Sequence, residues 1–312
     1  MMHLESSSAK VEQQFYQAVE RSLEKRPALE TVIKPFAAVL VKRASIVAEI
    51  SAFMQPMDMD RTADRLASGV PMVTDISLAD WKMALEKTLA NLMPVLNRSF
   101  PNLKADFSAI EAAIKNGESD LSILAKAYLE GNCRVFQSSV QNIVGAAGAL
   151  GFVVNWTLSA VLNAARIQWE NAVDLSSWSK GYCPVCGSLP AISYLSKPNG
   201  PTSEFLRGGG GQKFLHCALC GQNWRFKRNR CPACDTDDKD NRIYYREVGE
   251  TSERFDACRH CGHYLLGIDL RENNVSASLD MAAVGMVHLD ILARGKGFSP
   301  MTWTPWNRID EG

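Results

Sequence analysis

Apolar residues recur at helical spacing through the first 180 positions. Val11, Phe15, Val19 and Leu23 fall four apart and the pattern stops at Pro27, which predicts a helix ended by proline. Val32, Phe36, Val39 and Leu40 open a second stripe that continues through Val47. Residues 54–73 carry breaks at Pro56, Gly69 and Pro71 and read as a long connection. Trp81, Leu85, Leu89, Leu92 and Leu96 mark the next helix, with Asp75 or Ser77 as its expected cap, Pro94 kinking its last turn and Pro101 closing it. Shorter helices are expected over 106–115, ending at Gly117, and from a Ser119 cap to Glu130. The stretch 135–165 has no charged residue, and Gly145, Ala146, Ala147, Gly148 and Gly151 let backbones approach closely. It predicts a central pair of core helices. Its longest near-continuous apolar run, 143–154, falls short of the about 20 residues a membrane span needs, and Gln137, Gln141, Asn142, Asn155 and Asn163 interrupt the rest.

The pattern changes at Tyr182. From 182 to 275, short strand-like runs (213–216, 224–227, 243–246 and 264–270) alternate with Gly, Pro and Asn turns. So little apolar material per residue calls for a metal or disulfide staple. Helical spacing returns over 279–292, with Met281, Val284, His288 and Ile291, before an irregular tail carrying Trp303 and Trp306. The expected fold class is α+β. An all-helical domain over 1–180 is followed by two tandem rubredoxin-like or zinc-ribbon-like metal-binding modules, 181–223 and 224–275. A C-terminal helix and tail occupy 276–312.

The staple is visible in the cysteines. Eight of the nine form Cys-x-x-Cys pairs: Cys183/Cys186, Cys217/Cys220, Cys231/Cys234 and Cys258/Cys261. Such a pair closes a tight turn that aims two sulfurs at one ion, and two pairs make a tetrahedral four-sulfur site. Gly follows the second Cys in three pairs, where a positive φ is expected, and Pro184 and Pro232 stiffen two of the turns. Thirty residues separate Cys186 from Cys217, 23 separate Cys234 from Cys258, and only ten separate Cys220 from Cys231. These gaps favour sequential pairing into two sites, with an interleaved, RING-like pairing as the alternative. Tetrathiolate chemistry suits zinc and a single iron equally. His216, His260 and His263 lie beside ligands and are expected to stay outside the sites. A thioredoxin-like redox role is disfavoured, since no pair opens a helix after a strand. Cys133, alone in the helical region, is expected to be a buried, inert thiol.

Charge narrows the function. Lys+Arg and Asp+Glu both total 34, so the chain is neutral overall and lacks the basic excess of a dedicated nucleic-acid binder. The segment 207–230 is basic and free of acids. Within it, Arg225, Lys227, Arg228 and Arg230 are candidate partner contacts, although the acidic run 235–240 cancels much of their field. No P-loop, dinucleotide fingerprint, nucleophile elbow, HExxH or paired-carboxylate signature is present, and a four-thiolate site has no open position for substrate. The chain therefore does not read as an enzyme, and no catalytic residue is proposed. The N-terminus has no basic segment followed by an apolar one, which predicts a cytoplasmic setting where paired thiols serve metals rather than disulfides.

The run 183–190 (CPVCGSLP), then 215–220 (LHCALC), Trp224, 230–234 (RCPAC) and 257–262 (ACRHCG) resembles the formate dehydrogenase accessory protein family, FdhE. The likeness extends to the helix near 280–292 and more loosely to the helical region, and it departs at the glycine-rich 197–211. The resemblance implies a cytoplasmic maturation factor, chaperone-like, that binds the catalytic subunit of a respiratory formate dehydrogenase. It also implies rubredoxin-like iron in the cysteine sites, with zinc as the alternative metal. Two competing functions remain: a rubredoxin-like electron-transfer protein, and a zinc-ribbon nucleic-acid-binding protein.

Overall fold

The computed structural model describes residues 2–54, 62–142, 147–170, 174–197, 211–271 and 278–308. The first half is helical: α1 (Met2–Lys25), α2 (Glu30–Ser51), α3 (Thr62–Ala67), α4 (Lys82–Ser99), α5 (Lys104–Lys115), α6 (Leu121–Leu129), α7 (Cys133–Asn142) and α8 (Ala147–Trp169). α2 and α8 form the centre. α2 buries Ile33, Phe36, Val39, Leu40, Val47 and Ile50, the stripe expected from its spacing. α8 is apolar on every face because it is enclosed: α2, α4, α5, α6 and α7 all pack against it. By length and composition α8 could cross a membrane, but 78% of its most apolar window is buried in protein.

Several local expectations are corrected. α4 has no side-chain cap at Ser77; a 3-10 turn over Leu78–Trp81 leads into it instead. α6 is capped by Asp120, whose carboxylate accepts from the Ser122 amide at 2.8 Å, and not by Ser119. The expected core pair over 135–165 is one core helix and one surface helix, since α7 is largely exposed. Cys133, at the start of α7, is exposed rather than buried. The Val11 side chain, residues 55–61 of the long connection and residues 198–210 of the glycine-rich stretch lie outside the described residues.

The strands are β1 (Ile192–Leu195), β2 (Lys213–His216), β3 (Asn223–Arg225), β4 (Arg242–Tyr245), β5 (Glu253–Cys258), β6 (His263–Asp269) and β7 (Ser299–Pro300). They build one sheet in the order β3-β2-β1-β6-β5-β4, with β7 pairing β6. The sequence runs through the same unit twice: knuckle, hairpin, knuckle, strand. Each unit makes three antiparallel strands, and the two join where β1 lies parallel to β6, Ile192 opposite Leu266 and Leu195 opposite Asp269. The two ribbons are thus halves of a single sheet.

The expected helix over 279–292 is two helices, α9 (Leu279–Gly285) and α10 (Val287–Gly295), broken at Met286. Ile291 faces solvent as a result. α9 packs on α1, α2 and β1, and α10 on β5, β6 and β7, so the pair bridges helices and sheet. Lys25 and Arg26 at the end of α1 reinforce the join through ion pairs to Glu247, Glu250 and Glu253 at 2.8–3.2 Å.

Candidate metal centres

Each Cys-x-x-Cys is a knuckle closed by its own backbone. The amides of Gly187, Gly221, Asp235 and Gly262 donate to the carbonyls of Cys183, Cys217, Cys231 and Cys258 at 2.8–2.9 Å. All four donors sit at positive φ, between 59° and 79°, as this turn requires. Asp235 is the one non-glycine residue with positive φ among the described residues. Its carboxylate accepts two bonds from Arg230 at 2.9 and 3.0 Å, pinning the residue beside its strained backbone.

The knuckles converge in sequential pairs. Cys183, Cys186, Cys217 and Cys220 form one cluster, and Cys231, Cys234, Cys258 and Cys261 the other, with the four sulfurs of each within 4.8 Å of one another. Cross-pair contacts are 3.4 Å in the first (Cys183–Cys220, Cys186–Cys217) and 3.8 Å in the second (Cys231–Cys261, Cys234–Cys258). These lie far beyond the about 2.05 Å of a disulfide. They approach the edge, about 3.8 Å, of a tetrahedron with metal–sulfur bonds near 2.3 Å. The donor set therefore fits a tetrahedral thiophilic ion. Electrostatics points the same way: burial pushes the Cys183 and Cys220 thiols well up, while hydrogen bonds from Cys183, Cys217 and Cys220 hold Cys186 well down. Full ionisation of four sulfurs this close together would need a cation at the centre. In the second cluster burial raises Cys231 to about 11 and Cys261 further.

The surroundings of the two clusters differ. All four cysteines of the first are buried, whereas Cys234 and Cys261 of the second are half-exposed. The helical region walls the first. Met72 and Val73 donate backbone hydrogen bonds to Pro184 and Val185 at 2.9 and 3.0 Å, and Tyr182 Oη donates to the Gly69 carbonyl at 2.7 Å. A Cβ on Gly221 would lie 2.6 Å from Asn163 of α8, while one on Gly262 in the second cluster would meet nothing within 4 Å. Gly181 joins the two centres: its Cα packs against the third knuckle so closely that a Cβ would sit 1.9 Å from the Pro232 carbonyl.

Sequence reasoning missed a buried polar chain behind the first cluster. Arg43 of α2 pairs with Asp280 of α9, and its other terminal nitrogen donates to Ser159 Oγ at 3.0 Å. His216, next to Cys217, places Nε2 2.9 Å from Asp280 and Nδ1 2.7 Å from Asn223. Burial works to raise Asp280, yet the charge of Arg43 and the contact with His216 hold it at about 2. A lone Arg in an otherwise apolar helical stripe was the available signal. None of His216, His260 and His263 joins either cluster; His260 is exposed and His263 bonds the Cys261 carbonyl at 2.8 Å.

Of the basic candidates, Arg225, Lys227 and Arg228 are exposed, because Trp224 and Phe226 take the inward positions of the alternation. Arg230 is committed to Asp235.

Residues 182–228 match the sequence model of the family described as "FdhE, central domain". The chain is 24% identical over 276 residues to an FdhE homolog of Aquifex aeolicus, covering 88% of each. It is 28% identical to an FdhE homolog of Citrobacter koseri, covering 85% of this chain and 79% of that one. Protein FdhE of Salmonella paratyphi A is 27% identical over 274 residues. The fold is that of the crystal structure of the FdhE protein from Pseudomonas aeruginosa, with TM-score 0.61, 16% identity and 95% of both chains aligned. The likeness to FdhE thus runs through the helical region as well as the ribbons.

Proposed function

We propose that this chain is a non-catalytic accessory factor for formate dehydrogenase, which docks on the enzyme's catalytic subunit in the cytoplasm and assists its assembly or activation. The observation that carries this reading is the pair of closed four-cysteine clusters set in one sheet, in a chain similar to FdhE proteins along most of its length. Cys183, Cys186, Cys217 and Cys220 hold one metal ion and Cys231, Cys234, Cys258 and Cys261 the other, with iron favoured over zinc. The bound ion cross-links two knuckles and, if iron, also offers one-electron redox chemistry. Four thiolates per ion leave no position for a substrate, so the product of this architecture is a shaped surface. The exposed Arg225, Lys227 and Arg228 beside the first knuckles form its basic face.

Affinity capture with the tagged, metal-loaded chain from native cytoplasm should recover a formate dehydrogenase catalytic subunit. Recovery of unrelated proteins alone would overturn the assignment. Elemental analysis with an absorption spectrum identifies the metal: tetrathiolate iron colours the protein and bleaches on reduction, and zinc leaves it colourless.

One observation favours a second reading, electron transfer. Cys234 and Cys261 bring the second cluster to the surface, where a redox partner could approach. Colourless protein holding two zinc ions after growth with ample iron would exclude it.

A further inference from the structure

Away from the cysteines, a cavity of about 390 Å³ opens between the helical core and the C-terminal tail. Its size falls within the range of small-molecule sites. Phe36 of α2, Phe152 of α8 and Phe100 form one wall, with ring centroids 5.1 Å apart for Phe36–Phe100 and for Phe100–Phe152. These rings line the space without filling it. Gly148 and Gly151 of α8 face it, and a Cβ added at either would meet nothing within 4 Å.

The polar groups of the cavity are few and of one character. Tyr128 Oη accepts from the Asn155 amide at 2.7 Å, which leaves its own proton free for another acceptor. Burial pushes this phenol up, so it remains a donor. Thr304, itself 3% exposed, lines the cavity, but its hydroxyl is buried away from the open space and has no hydrogen-bond partner among the described residues. Arg308 supplies a positive charge on the lining, and no carboxylate lies among the described lining residues.

We propose that this cavity is a binding site for a small apolar monocarboxylate with an aromatic or branched body. The phenylalanine wall takes the body, and Tyr128 and Arg308 take the acid group. Ring faces and edges accept a flat apolar body at stacking distance. A phenol donor and a guanidinium, with no carboxylate among the described lining residues, select an anion over a cation of equal shape. The site lies between the helices and the C-terminal tail and involves none of the metal ligands, so its occupancy can be read alongside metal content.

The test uses the full metal-loaded chain and 4-phenylbutyrate as probe, with its amine and alcohol analogues, followed by calorimetry. The acid should bind one per chain with a Kd below about 1 mM and at least about tenfold more tightly than the amine. Gly151→Leu fills the empty volume from a helix position that welcomes a side chain, and should abolish binding with helical content and metal stoichiometry intact. Arg308→Gln should weaken the acid at least about fivefold and leave the alcohol unchanged. Acid binding that survives Gly151→Leu, or equal binding of acid and amine, overturns the proposal. So does failure of all three probes to saturate; if Gly151→Leu then lowers capture of a protein client, the cavity is an anchor for a partner's side chain instead.

Discussion

The two four-cysteine clusters share their knuckle turns, their donor set and their place in the repeat, yet they stand in opposite relations to the rest of the molecule. The first is sealed between sheet and helices, with backbone hydrogen bonds from residues 72 and 73 and the Arg43–Asp280–His216 chain behind it. The second has two half-exposed cysteines and room around Gly262. Their supporting helices repeat the contrast. Asp280 on α9 is ionised by its partners, whereas burial raises Asp290 on α10 to about 7, against the bond from Tyr264 at 2.6 Å that works to lower it. Its second oxygen has no partner among the described residues. One chemical unit, used twice, is a keystone in one setting and a peripheral clip in the other.

The strongest way to break this comparison is to remove one ligand from each cluster. Cys217→Ser should lose one metal equivalent and unfold the junction, with a loss on the order of 5 kcal/mol or more, because metal binding is folding energy in such modules. Cys231→Ser should also lose one equivalent while the helical circular dichroism and most of the thermal stability persist. Equal destabilisation by the two would contradict the contrast. Loss of both metals from either substitution would contradict the sequential pairing.

Cutting the polar chain behind the first cluster comes next. Arg43→Met leaves Asp280 buried with His216 as its one remaining partner among the described residues and should cost about 3–5 kcal/mol in urea unfolding. The double substitution Arg43→Met with Asp280→Leu should cost less than Arg43→Met alone. Metal at the second cluster should be retained in both.

Acidity sharpens the contrast between the two aspartates. A carboxyl whose folded pKa is raised adds its stability in full below its unfolded value, near 4, and loses it as pH rises through the folded value. For Asp290 that window runs from about pH 4 to 7. Asp290→Asn keeps the acceptor for Tyr264 and should stabilise the protein by about 1–3 kcal/mol at pH 8 while changing little at pH 4. Asp280 behaves in reverse: its contribution is present above about pH 4 and lost as pH falls through about 2. Stability curves of the two Asn variants across pH decide both.

The smallest effect concerns Asp235, at φ 59°. Asp235→Gly relieves a left-handed backbone but gives up the Arg230 pair, which is partly exposed. The two changes should nearly cancel, within about 0.5 kcal/mol by thermal unfolding.

Much of the molecule was legible beforehand where the signal was local. The stripe from Phe36 to Val47 became the buried face of α2, and residues 213–216 became β2 without adjustment. What escaped were features with distant causes. β1 and β5 lacked a clean alternation because their neighbours on both sides decide their burial. Ser119 was a plausible cap, but Asp120 one position on reached the free amide. Cys133 stood alone in the helical region, which suggested burial, and ended exposed because α7 lies on the surface.

The sequence by itself determined the four knuckles, since each depends on a turn closed between residue i and residue i+4 and on the residue able to adopt positive φ there. It also marked the sheet region as short of apolar material for its length, which calls for a staple such as the four-cysteine clusters could hold. Only the tertiary structure decided that β1 pairs with β6 across more than 70 residues, that helices seal one cluster and leave the other open, and that Arg43, Asp280 and His216 meet. Those outcomes depend on which surfaces bury each other once the chain is folded, and burial is a property of the assembled neighbours rather than of any local run of residues.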